Sequence, residues 1–343
     1  MKFITYILSL FVLMASLSCE TIVSDVDLSK FPELQEKIVV TSFINPLNDS
    51  VTVRVSRSIP LLGSVKKEFI KVYNKNIGDS VLIAKDEKQI EDAIITISDG
   101  TTSAKLFYNK ELLYYGISSR DFRIRSGRTY TLTVKVDNQV LEAQTTVPSK
   151  RPTINNLIIG KYFEVSSSFF GKDTAQGFAL NFDWTDFPNE VNYYKVWGEM
   201  KYFSDVPSGS KDSVVYYRRP TYGYLELNND FSSEGRYFSD KNKDGGKYTI
   251  LNAKLLFRKI YICFGSNFNN DCLPYKTIEN SVQSFTLEVS QISKELYDYQ
   301  NSLRAFNNTS NNPFAEPVPV YSNIKNGLGI FAAYNPTRIS QGF

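Results

Sequence analysis

Short runs of alternating, β-branched residues recur along this chain with turn residues between them, and they confine it to a mainly antiparallel β architecture. In the run 50–56, Val51, Val53 and Val55 fall on one face at period two. A second run covers 37–44, and Asn45-Pro46-Leu47-Asn48-Asp49 between the two is turn chemistry. Further runs span 93–97, 104–108, 129–136 and 140–147, with Asp99-Gly100 and Asp137-Asn138 as hairpin signals. Short strands with frequent turns predict an immunoglobulin-like β-sandwich over residues 37–148.

Pro148-Ser149-Lys150-Arg151-Pro152 ends that pattern and reads as a boundary. Residues 152–343 read as a second β-rich domain, with strands over 177–184, 191–202, 248–257, 259–264 and 285–289. One helix stands out near the C-terminal end. Ser293 can cap it, and Ile292, Leu296, Tyr299, Leu303 and Phe306 recur at spacings of four and three, a face expected to dock on the second sheet. The run 327–334 reads as a closing strand.

The first residues carry an address. Lys2, an apolar run from Phe3 to Met14 and a small-residue stretch make a secretory signal over residues 1–18. The run is too short to span a membrane comfortably. Ala15-Ser16-Leu17-Ser18-Cys19 resembles a bacterial lipobox, with Ser16 where leucine is commoner. Cleavage before Cys19 leaves a lipidated cysteine, a mature chain of 325 residues and a tether over 19–36. Each buried CH₂ of the acyl chains contributes about 0.8 kcal/mol to anchoring.

Composition removes several functions at once. The chain has no histidine, which excludes Ser-His-Asp and Cys-His catalysis, the usual zinc sites and haem ligation. A net charge of +3, from 39 basic and 36 acidic residues, is no footprint for nucleic acid. Neither a catalytic set, a metal site nor a cofactor is expected.

Five constellations have both a functional and a plain structural reading. Cys263 and Cys272 enclose a short polar loop; in an exported chain they read as a disulfide, or else as two separate buried thiols. Asp240, Asn242 and Asp244 before Gly245 resemble the start of a calcium loop, but Leu251 stands where a bidentate glutamate belongs. Ser50, Ser80, Thr174 and Ser213 each follow an aspartate and precede a small aliphatic residue, which matches a short bacterial O-glycosylation signal and equally a turn entering a strand. Trp197, Tyr216 and Tyr222 lie in a region crowded with aromatics, as a binding platform or as sheet packing. Tyr193 and Tyr194 are neighbours in that region, so they must face opposite sides of a strand. Asp183, Asp186 and Glu190 flank Trp184 and Phe187; such acids can hydrolyse glycosides at the right separation, or simply be solvated turn residues.

The order of several segments resembles the domain-of-unknown-function 4249 family of Bacteroidota lipoproteins. They are Cys19 leading to Val26-Asp27-Leu28, the run 38–44 with 53–58, Tyr237-Phe238-Ser239-Asp240 with Gly246 and Tyr248, and Tyr261-Ile262-Cys263. The run 292–299, Asn312-Pro313-Phe314, Ser322-Asn323-Ile324 and 326–331 complete the set. The resemblance implies an outer-membrane lipoprotein, commonly encoded near a TonB-dependent receptor, and it supplies no catalytic residues.

The expected function is therefore a non-enzymatic lipoprotein, lipid-anchored to the outer membrane on its cell-surface or periplasmic face. It would be an accessory subunit of a TonB-dependent transporter or another β-barrel complex, recognised by an apolar, aromatic-rich patch. The alternative is a surface glycan-binding lipoprotein that stacks exposed Tyr and Trp side chains on sugars.

Overall fold

Alternation in the sequence becomes alternation in burial. The computed structural model describes residues 36–58, 68–74, 79–85, 89–168, 171–210, 213–227, 230–231, 236–241, 243–257, 261–263, 272–274, 276–277, 281–310, 316 and 318–342. Strand β1 (Ile38–Ile44) alternates buried and half-buried positions along its whole length. β2 (Ser50–Arg57) buries Val51, Val53 and Val55 and turns Arg54 to solvent. Each such side chain stabilises the fold by about 1.5–3 kcal/mol relative to leaving it exposed.

β3 (Glu68–Asn74) and β4 (Asp79–Lys85) pair with each other. β5 (Ile94–Ser98), β6 (Ser103–Asn109), β7 (Tyr114–Ser118), β8 (Thr129–Val136) and β9 (Gln139–Thr146) follow. The Asp99-Gly100 turn between β5 and β6 forms as expected. Gly100 takes φ 86°, and the Asp99 carboxylate accepts the Thr101 and Thr102 N–H groups at 3.0 and 2.7 Å. Asp137 opens the β8–β9 turn at φ 50°, a conformation that aspartate tolerates better than most residues. β6, β7, β2 and β1 form one layer and β5, β8 and β9 another, through antiparallel pairings, with β5 also joined to β6. The core between them holds Val40, Val53, Ile95, Tyr115, Tyr130 and Leu132 among others.

The second half uses longer strands: β10 (Asn155–Ser168), β11 (Gly171–Thr185), β12 (Tyr193–Ser210) and β13 (Ser213–Leu227). Shorter pieces follow: β14 (Asp230–Phe231), β15 (Arg236–Ser239), β16 (Lys247–Leu256), β17 (Tyr261–Cys263), β18 (Cys272–Pro274) and β19 (Lys276–Thr277). β20 (Ser284–Ile292), the helix α1 (Lys294–Ser310) and β21 (Leu328–Gly342) close the chain. β11 pairs with β10 and β16, and β12 pairs with β13 and β20. Their inward faces enclose a second core around Phe182, Trp184, Tyr194, Val196, Met200 and Leu287. Trp184 stacks on Tyr248 with centroids 4.9 Å apart and planes at 4°.

β21 joins the two halves. Its first six residues run parallel to β1, from Val39 opposite Leu328 to Ile44 opposite Ala333. From Tyr334 onward it runs antiparallel to β20. Residues 37–343 accordingly form one compact unit. At Gly329 φ is +108°, and a Cβ there would lie 2.0 Å from the Val40 carbonyl oxygen, so glycine is what permits this parallel pairing.

Ser293 caps α1 as its sequence suggests, accepting the Leu296 N–H at 3.4 Å on its hydroxyl. Leu296 packs with Ile292, Ile330 and Ala332, so the helix docks on the first part of β21. The expected apolar face is buried only at this end; Phe306 remains 40% exposed.

Candidate functional site

Three carboxylates meet where the β11–β12 loop approaches the β15–β16 loop. Asp186 and Asp240 are buried and Asp244 is exposed, and one oxygen of each lies within 4.8 Å of the others. The Tyr194 hydroxyl donates to Asp186 at 2.6 Å and the Gly245 N–H at 2.8 Å. The Asn192 N–H donates to Asp240 at 2.7 Å, and the Asn189 N–H to Asp244 at 2.8 Å. Burial, and then the Asp186 carboxylate, push the Tyr194 phenol far above its ordinary range. Oxygen-only donors suit a hard cation such as calcium, which takes six to eight ligands where this cluster offers three carboxylates.

The segment from Asp240 to Leu251, which resembles the start of a calcium loop without its closing glutamate, does not take that loop's shape. Lys243 N–H donates to the Asp240 carbonyl at 2.6 Å, Gly246 N–H donates to the Lys243 carbonyl at 2.7 Å, and the chain enters β16 at Lys247. Leu251 therefore sits in a strand, 63% exposed. Asn242 lies outside the described residues. The third acid comes instead from Asp186, far away in sequence.

The other two acids of the hydrolytic constellation separate. Asp183 accepts from Asn156 at 2.8 Å and pairs with Lys247 at 2.7 Å; first the Asn156 hydrogen bond and then Lys247 hold its carboxyl below the usual range. Glu190 pairs with Lys150 at 2.7 Å.

Tyr194 and Tyr202 fill the second core, whereas Tyr193 faces the other way and stacks on Tyr297 of α1 with centroids 4.5 Å apart. This is the division that adjacent positions on a strand require. Trp197, Tyr216, Tyr222 and Tyr224 are half-buried on the outward face of β12 and β13. The register sets Glu199 opposite Tyr224 and Lys201 opposite Tyr222. Burial raises the Glu199 carboxyl, against the pull of Lys201. It also raises the Tyr222 phenol, with Glu199 adding to the effect. Half-covered rings suit packing against neighbours better than stacking on a sugar.

The β10–β11 hairpin carries four exposed large apolar side chains. Ile158 is 62% exposed, Phe163 63%, Val165 50% and Ile159 37%. The register places Ile159, Phe163 and Val165 on the face that carries Phe178 and Leu180 into the core. That face therefore continues the core outward into solvent. The opposite face carries exposed Ile158 together with Gly160, Tyr162 and Glu164, and there Lys254 reaches Glu164 at 3.6 Å and lies 4.7 Å from the Tyr162 ring centroid. Among the described residues β10 pairs only with β11, and the register is regular from Ile158 to Ser168. Long apolar edges of this kind are rare on free proteins, because their unpaired N–H and C=O groups recruit other chains. The sequence reading missed β10 altogether; its signals were the apolar run Leu157-Ile158-Ile159 and the alternation in Phe163-Glu164-Val165.

Of the glycosylation candidates, Ser50 opens β2 and is half-buried. The side chains of Ser80, Thr174, Ser213, Cys263 and Cys272 lie outside the described residues, as does Cys19. The backbone register sets Cys263 directly opposite Cys272. Opposite residues on antiparallel strands have Cα atoms about 4.5–5.5 Å apart, within the span of a disulfide.

Among the described residues no helix is long and apolar enough to cross a membrane. A search of the curated proteins returned no match. One family model, described as a domain of unknown function, DUF4249, matches residues 24–340. The chain, matched over nearly its whole length, belongs to that family.

Proposed function

We propose that this protein is a non-enzymatic, lipid-anchored accessory subunit of an outer-membrane β-barrel complex, with a TonB-dependent transporter as the favoured partner. The observation that carries this reading is the apolar face of the β10–β11 hairpin, an open sheet edge with Ile159, Phe163 and Val165 in solvent. A barrel partner that covers this edge would bury the apolar face and satisfy the outward backbone groups of β10. Cys19 carries the acyl anchor, and confinement to the membrane raises the local concentration of the partner. In this reading residues 37–148 form the immunoglobulin-like sandwich and 152–343 the second β-rich domain. Cys263 and Cys272 are joined as a disulfide, and Ser50, Ser80, Thr174 and Ser213 are the O-glycosylation positions.

The test is purification of the tagged, full-length protein from native outer membranes in mild detergent. A stoichiometric barrel protein should accompany it. The double variant Ile159→Asp/Phe163→Asp should lose that companion while keeping its thermal transition. Recovery of the intact lipoprotein by itself would overturn the proposal.

A further inference from the structure

The outward face of β2, β7 and β6 carries a groove of about 640 Å³, remote in sequence from the β10–β11 hairpin. Three strands build it in register. Thr52 and Phe107 flank Gly116 on either side, Ser50 lies opposite Ser118, and Asn109 lies opposite Tyr114. Cross-strand partners share a face of the sheet, so these side chains point outward together. Gly116 leaves the middle of the face without a side chain, and its φ is not one that demands glycine. A Cβ at that position would sit 3.1 Å from the Tyr114 ring, so the Tyr114 ring lies close over the glycine. Glycine inside a strand commonly marks a place of close approach.

Phe107 stands beside this floor and is 66% exposed, the most exposed phenylalanine among the described residues. Lys105 lies 5.9 Å from its ring centroid. The rim is polar and carries both charges, from Asp49, Lys110 and Glu111, none of which forms an ion pair with a described residue. The Asn109 carboxamide oxygen accepts the Glu111 and Leu112 N–H groups at 2.9 and 3.0 Å, which leaves its N–H₂ as a donor at the rim.

We propose that this groove binds a neutral carbohydrate chain, with Phe107 as the stacking platform. A pyranose ring has one face of C–H groups and an edge of hydroxyls. The C–H face suits the electron-rich face of an exposed aromatic ring. The hydroxyls need both donors and acceptors, which Asn109, Lys110, Asp49 and Glu111 supply. Asp49 and Glu111 balance Lys110 and Lys105 around the platform, which favours a neutral ligand over an ionic one, and a shallow, open groove suits a chain that passes through it. The platform differs from Trp197, Tyr216 and Tyr222, and the inference does not depend on a barrel partner.

The experiment is affinity electrophoresis of the full mature protein in native gels cast with soluble mixed-linkage β-glucan, galactomannan or starch. A parallel set contains bacterial lipopolysaccharide. The first set represents external glycans and the second a glycan of the membrane itself. At least one of the neutral-polysaccharide gels should retard the protein, and Phe107→Ala should weaken the retardation at least tenfold. Gly116→Ala, which displaces the Tyr114 ring, should weaken it too, whereas Trp197→Ala should not. Thermal unfolding of each variant establishes that it is folded. No retardation in the neutral-polysaccharide gels, retardation by lipopolysaccharide alone, or retardation that survives in folded Phe107→Ala, overturns the inference.

Discussion

Replacing Arg338 with methionine should expose how much the β20–β21 ladder depends on one ion pair. Glu288 is 2% exposed and faces Arg338 across the ladder. The Arg338 Nε donates to its carboxylate at 2.6 Å, and the Ser290 hydroxyl donates at 2.7 Å. Removing one partner of a fully buried pair costs about 3–5 kcal/mol, because the other charge is stranded. Here the arginine side chain is 35% exposed against 3% for the glutamate, and Ser290 keeps its hydrogen bond. Water reaches one end of the pair and screens it, so the expected cost falls to about 2–3 kcal/mol. Urea unfolding followed by tryptophan fluorescence measures it, and the melting temperature should fall by about 4–8 °C. Adding Glu288→Gln removes the stranded charge and should recover more than half of the loss. A single variant within about 0.5 kcal/mol of the parent, the range of an ordinary surface substitution, would refute the reasoning. So would a double variant no more stable than the single one.

Tyr194→Phe deletes the hydroxyl donor to buried Asp186 and should cost about 1.5–3 kcal/mol in the same urea assay, the worth of a hydrogen bond to a charged group. Asn156→Gly keeps the left-handed backbone at that residue, φ 53°, but removes the main cause of the depressed Asp183 pKa. A depressed carboxyl contributes stability above its unfolded pKa, about 3.9, that is lost as pH falls through the folded value. The variant should therefore be less stable than the parent at pH 7, and the gap should close below about pH 4; a gap constant across pH would contradict this. Gly329→Ala puts a Cβ 2.0 Å from the Val40 carbonyl and should break the β1–β21 pairing, with a loss above about 4 kcal/mol read as a collapse in soluble yield.

Much of the first half of the chain was legible because its strands are short and half-buried, although β3, β4 and β7 were not read as strands. Such strands print their burial directly as alternation, and the expected run over 129–136 coincides with β8. Its turns were legible because Asp99-Gly100 and Asp137-Asn138 carry the residues that those backbone angles demand. The long strands of the second half were read short. β12 continues past Tyr202 to Ser210, and β10 and β13 were not seen as strands at all. Their outward faces mix Tyr, Arg, Lys and Glu, so alternation fades where both faces meet water or each other. The acidic centre was half-legible. Asp240 and Asp244 announced themselves by local spacing, but Asp186 joins them only because β11 and β15 end side by side in the fold.

What this sequence determined by itself was local: the short alternating strands, where they turn, where α1 is capped, and the motif at Cys19 that reads as a membrane address. Those features depend on neighbours a few residues apart, through backbone angles, capping groups and side-chain period. The tertiary structure decided everything that requires distant segments to meet. It split β21 between β1 and β20, left the β10 edge open, and set Gly116 opposite Thr52 of β2. It also turned Trp197 and Tyr222 into half-buried packing while Phe107 stayed in solvent. A strand's own pattern says that it has two faces, but what covers each face is set by segments a hundred or more residues away.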